Sequence, residues 1–171
     1  EFSTKITVVD SQQLTLGLGF QVIAAAKAAK ENIPVQAILD IIESLKERIH
    51  VFALLDTFEY IQRSGRVSWA KARIGSILNI KPILELKEGE VISRGLARAR
   101  KKGIQFLGNV LQGLGSLEDL AILHTNAAED GLNFTKQFAP DGIKNSLLVN
   151  ITTIIGTHVG PNGLGFAAVV K

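Results

Sequence analysis

The sequence predicts an α/β fold in which a mixed β-sheet is layered with helices. Apolar residues recur at helical spacing in some segments of the 171-residue chain and at every second position in others. Two alternating segments are joined by the short turn Glu88-Gly89-Glu90, which is typical of an antiparallel hairpin, whereas other strands are separated by helices. Both kinds of connection in one sheet make it mixed, and its apolar faces need helices to cover them.

The first half of the chain alternates strand and helix signals. Pro34 suits the first turn of a helix, and Gly65 follows a short apolar-periodic segment that Asp56 or Thr57 can cap. The patterns predict a strand over 5–10, helices over 15–30 and 34–48, a strand over 50–55, a short helix ending before Gly65, and another over 69–78.

The second half begins with the hairpin. Pro82 favours extended backbone before it, and Gly113 and Gly115 end the helical pattern that starts at Ala99. The patterns predict hairpin strands on either side of residue 89, a helix over 99–113, a strand over 120–125, a helix over 127–139, and strands over 146–150 and 163–170.

Composition favours one compact unit. The chain is 46% hydrophobic, and no polar linker or internal repeat divides it. It has no Cys, which excludes disulfides and thiolate chemistry and favours the cytoplasm, and no apolar run is long enough to span a bilayer. Because it starts at Glu1 and contains no Met, we expect a fragment of a longer protein.

Several common chemistries are not supported by the sequence. Gly17-Leu18-Gly19 follows a predicted strand, but Val22 stands at the third glycine position of a dinucleotide fingerprint, and no phosphate-binding loop motif occurs. The three histidines fall in separate elements without paired ligand spacing. We therefore predict no cofactor, no metal and no catalysis by this chain, and assign capping or surface roles to its carboxylates.

Gly156-Thr157-His158 and the following Gly160-Pro161-Asn162-Gly163 place a polar pair inside backbone that turns sharply. This pattern predicts a histidine displayed in a turn and not buried in a helix. Such a histidine either contacts a ligand or bonds a nearby carbonyl, and spacing alone does not decide between them.

Two basic clusters are candidates for anion or partner binding. Arg63 and Arg66 flank Gly65 at a helix end, where they either donate to a carboxylate or phosphate or compensate the helix dipole. A denser run is suited to an acidic partner or nucleic acid, or is a solvated helix start, and no aromatic residues interleave with it to stack bases. That run consists of Arg98, Arg100, Lys101 and Lys102.

Four segments together resemble the DegV family of fatty-acid-binding proteins, in matching order and over nearly the whole chain. They are Val9-Asp10-Ser11 leading into Leu16-Gly17-Leu18-Gly19-Phe20, Asp56-Thr57-Phe58-Glu59-Tyr60 through Gly65-Arg66, Leu78-Asn79-Ile80-Lys81-Pro82 with the hairpin and basic run, and Gly156-Thr157-His158 through Pro161. The resemblance implies the C-terminal subdomain of a DegV-like fold over residues 1–171, with the family's N-terminal subdomain missing from this sequence.

The resemblance also implies a function. Family members bind a long-chain fatty acid, and some present its carboxyl group to a partner kinase that makes an acyl phosphate. By this likeness His158 contacts the carboxylate, helped by Arg66 and Thr157, and the basic run docks the kinase subunit. Candidate acyl-chain contacts, each of which also suits ordinary core packing, are Leu16, Leu18, Phe20, Ile77, Leu78 and Phe166.

The sequence departs from the family pattern at several positions. Ser64 replaces a common glycine, Ala99 a frequent hydroxyl residue, and Asn162 a glycine. Three functions therefore remain open: lipid binding, a protein-interaction or regulatory domain with an unused lipid tunnel, and salt-sensitive nucleic-acid binding, which we do not favour. An apolar wall left exposed is expected to drive dimerisation.

Overall fold

The computed structural model describes residues 5–65, 80–143 and 146–171, and within them it confirms the predicted mixed sheet layered with helices. The helices are α1 (Thr15–Lys30), α2 (Val35–Arg48), α3 (Glu59–Ser64), α4 (Arg100–Gly113), α5 (Ala128–Phe138) and α6 (Thr153–Val159). The strands are β1 (Ile49–Leu54), β2 (Lys81–Lys87), β3 (Glu90–Ala97), β4 (Leu117–His124), β5 (Ser146–Asn150) and β6 (Leu164–Val170).

The strands form one sheet in the order β3-β2-β1-β6-β4-β5. Neighbouring strands are antiparallel except β4 and β5, which are parallel. The predicted hairpin is β2–β3, and its turn residues Glu88 and Gly89 have φ angles of 53° and 79°. These left-handed angles suit the twist of a tight hairpin, so the Gly-containing turn was the correct signal.

The two faces of the sheet carry separate cores, because successive side chains of a strand point to opposite sides. On one face Phe52 and Phe166 pack with Leu107 of α4 and Phe134 of α5. On the other, Phe20 of α1 and Leu45 of α2 pack against the odd-numbered residues of the central strands, such as Val51 and Val169. A third cluster, centred on Leu55, Phe58, Ile61 and Leu84, lies beside α3.

Two predicted elements are not found among the described residues. Residues 5–10 form no strand, and Ile6 and Val8 are 80% and 91% exposed. Alternation was misleading there because an extended segment becomes a strand only when a neighbour accepts its backbone hydrogen bonds. The predicted helix over 69–78 lies outside the described residues.

Candidate functional site

An apolar cavity of about 250 Å³ lies on the sheet face that α1 and α2 cover. Its floor includes Val51 and Ala53 of β1 and Leu84 of β2, and its sides include Ile61 of α3 and Ile155 of α6. A smaller lobe of about 70 Å³ adjoins it. The cavity and the lobe share the wall residues Leu14, Val51, Phe52, Ala53, Ile155 and Val159. A concave, mostly apolar space with few polar groups is typical of a small-molecule site.

His158 is the polar side chain of greatest interest in this wall. It lines the larger cavity, and its Nδ1 atom is buried without a hydrogen-bond partner among the residues that the structure describes. A buried nitrogen left unpaired loses its hydration without compensation, and such groups are uncommon in folded proteins. His158 is thus a wall residue of the cavity with one unpaired nitrogen, and among the described residues that nitrogen makes no bond to a nearby carbonyl.

The local backbone around His158 differs from the prediction. The histidine lies in the last turn of α6, a short helix, and not in a turn. The Gly156-Thr157-His158 segment lies inside this helix. The helix ends at Gly160, because the φ of 77° at that glycine is incompatible with helical geometry. Thr157 is exposed, and its hydroxyl donates to the Ile154 carbonyl at 2.8 Å.

Thr125 holds the turn that follows α6. Its hydroxyl donates to the Gly160 carbonyl at 2.7 Å and accepts from the Gly163 amide at 2.6 Å. Its backbone carbonyl accepts from the Asn162 amide at 2.7 Å, and its amide donates to the Gly163 carbonyl at 3.0 Å. These four bonds join residues 160–163 to the end of β4, so the end of the helix that carries His158 is anchored to the sheet.

Arg100 reaches the same turn from the start of α4. Its guanidinium donates to the Asn162 carbonyl at 2.7 Å, to Asp56 at 3.3 Å, and to Asp130 at 2.8 and 2.5 Å. Lys81 donates to the Asp56 carboxylate at 2.5 Å and to its carbonyl at 3.0 Å. One arginine thus connects the loop after β1, the start of α5 and the turn after α6.

Asp56 is the negative centre of this network. Burial opposes ionisation of its carboxyl group, but the hydrogen bond and charge of Lys81, the charge of Arg100 and a hydrogen bond from the Asn162 side chain outweigh it. The pKa of Asp56 is consequently held below its ordinary value. The network supports the turn that follows α6, the helix that carries His158. For Asp56 the sequence had indicated only a helix cap.

The four predicted basic residues separate into two groups. Arg98, Lys101 and Lys102 are exposed, whereas Arg100 is half-buried in the ion pairs just described. A partner can reach the first three without disturbing the fold. Arg100 is already engaged inside the molecule, which a run of charges in a sequence cannot reveal.

The predicted acyl-chain contacts are dispersed. Leu16 and Phe20 pack into the core under α1 and α2, Leu18 is 41% exposed, and Phe166 is fully buried on the opposite face of the sheet. Arg66, Ile77 and Leu78 lie outside the described residues. The described wall instead uses residues 51–53 of β1 and 84–86 of β2, with Leu14 and α6. The available signals for this wall were the apolar run over 50–55 and the alternation in 83–86.

Other residues support the fold without forming a second chemical centre. His124 accepts from the Ala127 amide through Nδ1 at 3.2 Å and so joins the end of β4 to the residue before α5. Burial lowers the pKa of His50, with Glu85 opposing that effect. Across the described ranges no cluster of His, Cys, Asp and Glu residues could hold a metal ion, and no helix there is long and apolar enough to cross a membrane.

The chain is similar to known proteins in sequence and in fold. The family described as "Uncharacterised protein, DegV family" matches residues 1–171. A DegV domain-containing protein of Clostridium perfringens is 30% identical over 166 residues, which cover 95% of this chain and 59% of that relative. A second, from Staphylococcus aureus, is 28% identical over 170 residues and is covered to 61%. The chain thus spans about three fifths of the length of the curated relatives it matches.

Solved structures share the fold. A fatty-acid-binding DegV family protein from Streptococcus agalactiae superposes with a TM-score of 0.86 at 25% identity, over 96% of this chain and 60% of that one. A DegV family protein from Thermus thermophilus, described by its fatty-acid binding, gives a TM-score of 0.86 at 28% identity, over 99% of this chain and 62% of that one. The family match over the full sequence, together with the shared fold, shows that this chain belongs to the DegV family.

Proposed function

We propose that this chain supplies the apolar tunnel and one carboxylate contact of a long-chain fatty-acid site. The observation that carries the proposal is the unpaired, buried Nδ1 of His158 at the wall of an apolar cavity. An alkyl chain needs a space without polar groups, and a carboxylate needs a hydrogen-bond donor to offset its desolvation. Relatives described as fatty-acid-binding share the fold and support the same reading.

The acyl chain dominates the affinity in this proposal. Burying about fourteen methylenes at roughly 0.8 kcal/mol each contributes on the order of 10 kcal/mol before ordering costs. The described cavity and lobe, of about 250 and 70 Å³, are at the small end of the range for ligand sites. Further wall is therefore required, and Ile77, Leu78 and sequence corresponding to the remainder of the relatives are its proposed sources.

The head group is held by fewer contacts, which set its orientation. His158 donates from the end of α6, Arg66 adds a charged donor, and Thr157 is the third predicted contact. Thr157 can still accept or donate to a carboxylate if its hydroxyl leaves the Ile154 carbonyl, since its side chain is exposed. Binding therefore selects an acid over the alcohol of equal length, because only the acid has a charge for these donors to pair with.

Presentation to a kinase is the finer part of the proposal. The exposed Arg98, Lys101 and Lys102 form a positive surface at the start of α4 that suits an acidic partner. The chain itself performs no phosphoryl transfer in this scheme, and both proteins act in the cytoplasm. Changing these three residues to glutamate should abolish capture of the kinase subunit while the bound lipid remains, and loss of both together would contradict a docking role.

The alternative function is a protein-interaction or regulatory domain. Exposed apolar residues favour it: Leu147 and Leu148 of the edge strand β5 are 41% and 37% exposed, and Ile154 is 75% exposed. Such residues also suit a homodimer or contact with a further domain. A domain of this kind would carry no lipid.

Native mass spectrometry with lipid extraction separates the two functions. It should be applied to this chain and to the full-length product of its gene, purified from the same cells. Fatty acid in the full-length protein alone would indicate a site divided between two parts of the protein. Absence of fatty acid from both would refute lipid binding and favour the interaction domain.

A further inference from the structure

The strands at the two edges of the sheet, β3 and β5, differ in how they are protected against pairing with another chain. β3 carries Glu90 and Arg94, and a bulge interrupts its pairing with β2. Charged side chains and bulges are common devices that protect an edge strand. β5 has neither, because Ser146–Asn150 contains no charged residue and its register with β4 is unbroken. Within the described residues this edge is therefore available to a further strand.

Alternate residues of β5 direct their backbone groups away from β4. The Ile151 amide donates to the His124 carbonyl at 2.9 Å, so Ile151 faces β4. Because successive residues of a strand point their N–H and C=O groups to opposite sides, the even-numbered residues of β5 face outward. These outward-facing residues are Ser146, Leu148 and Asn150.

The pattern of outward-facing residues is complementary to itself. If two copies of β5 lie antiparallel about a two-fold axis beside Leu148, that residue meets its own copy and Ser146 meets Asn150 of the partner subunit. Opposed residues of this kind exchange both of their backbone hydrogen bonds. Polar side chains then lie opposite polar ones, and Leu148, which is 37% exposed, is covered at the centre.

Helix α5 has an apolar residue on the flank nearest this edge. The helix packs over β4 and β5, and a Cβ atom on Gly131 would meet the Leu148 side chain at 2.6 Å, so Gly131 faces the centre of β5. Asp130 pairs with Arg100 and so marks the flank nearest α4. Because successive helix residues turn by about 100°, Leu132 lies on the opposite flank, where it is 50% exposed.

The same two-fold axis brings the two α5 helices together with complementary charges. Strands in a sheet lie about 4.8 Å apart, so a helix over β4 and β5 lies about 10 Å from its copy, which is a normal packing distance. The helices run antiparallel, and exposed Glu129 in the first turn comes close to exposed Lys136 of the partner subunit in the last turn. Leu132 lies between these charges.

We propose that this chain forms a homodimer in which the two β5 strands pair antiparallel and the two α5 helices pack beside them. The occupant of the β5 edge is a second copy, because strand pattern, apolar flank and helix charges all match under one axis. None of these residues lines the 250 Å³ cavity, so the inference does not depend on fatty-acid binding.

Sedimentation equilibrium of the full-length product of the gene tests the dimer. The unsubstituted protein should be dimeric, and Leu132→Lys should make it monomeric by bringing like charges together. Val22→Lys is the matched control, because Val22 is 58% exposed on α1, which covers the other face of the sheet. Lys136→Glu should raise the dimer dissociation constant by up to about tenfold, and adding Glu129→Lys should restore it.

Hydrogen exchange of individual amides locates the interface. In the dimer the Leu148 and Asn150 amides should be protected, and Leu132→Lys should remove that protection. The Leu147 and Val149 amides should stay protected in both proteins, because these residues face β4.

Three results would overturn the inference. A monomeric unsubstituted protein would exclude the dimer, and a protected Leu148 amide in that monomer would show that another part of the full-length protein covers the edge. A dimer that survives Leu132→Lys, with a freely exchanging Leu148 amide, would have its interface elsewhere. Protection of the Leu148 amide only after addition of a different protein would assign the edge to that partner.

Discussion

Both faces of the sheet carry apolar cores, but stacked aromatic rings pack one of them, whereas the other encloses a cavity. Under α4 and α5 the rings of Phe52, Phe134 and Phe166 stack with centroids 5.5 and 6.5 Å apart. Beside α1, α3 and α6 the strands present smaller residues such as Ala53 and Val51, and three buried polar atoms, on Gln13, Thr15 and His158, lack partners among the described residues. The rings leave little space between them on the first face, whereas the second retains a space of the kind that small molecules occupy in other proteins.

Removing a ring from the face with the stacked rings should produce the largest effect on stability. We expect Phe166→Ala to lower the free energy of unfolding by about 3–5 kcal/mol, because the ring is fully buried and leaves a cavity. Chemical denaturation measures the loss. Where Phe166→Ala does not fold, Phe166→Leu provides a milder test. A change in acyl-chain preference without loss of stability would show that Phe166 contacts the ligand after all.

On the face with the cavity the expected effect is on binding. His158→Ala should weaken fatty-acid binding by about 1.5–3 kcal/mol, the range for a hydrogen bond to a charged group, and leave octadecanol binding unchanged. Stability should scarcely change, because the Nδ1 atom has no partner to lose. Titration calorimetry with acid and alcohol measures both affinities. An unaltered preference for acid over alcohol would contradict the role of His158.

The ion pairs of Arg100 with Asp56 and Asp130 should have a smaller effect on stability. Arg100→Ala leaves Asp56 and Asp130 without their shared arginine, and we expect a loss of about 1–2 kcal/mol in unfolding free energy because the group is only partly buried. Arg98→Ala is the matched control, since Arg98 is exposed two residues earlier and should change stability by less than about 0.5 kcal/mol. Equal effects of the two substitutions would contradict the distinction between them.

The smallest expected effect is on the pH dependence of stability, through the carboxyl group of Asp56. The pKa of Asp56 is lowered in the folded state, so its stabilising contribution is present above the unfolded-chain value of about 4 and is lost as pH falls through the folded value. Asp56→Asn should therefore flatten the decline of the urea midpoint below about pH 5. Asp141→Asn, at a fully exposed position, serves as the control. An unchanged pH profile in Asp56→Asn would show that the ion pairs do not contribute.

Much of the fold was predictable because local patterns and tertiary packing agree. The hairpin turn, the helix ends at Gly65 and Gly113, and the alternating strands all followed from short-range rules. The strand predicted over 5–10 was wrong because pairing requires a neighbour that the local sequence does not specify. The candidate site was less predictable, since Leu14, Ala53 and Leu84 meet only after strands and helices far apart in sequence have packed.

By itself the sequence determined the fold class, most of the order of its elements and the presence of a polar Gly-Thr-His segment, because periodicity, turn chemistry and glycine preferences act over a few residues. Only the tertiary structure decided which apolar residues line a cavity and which fill a core, and that Arg100 is engaged while Arg98 is free. It also decided that, among the described residues, the hydroxyl oxygen of Thr15 and the Nδ1 atom of His158 are buried without partners. These properties depend on what each side chain meets across the sheet, and periodicity alone carries no information about those distant neighbours.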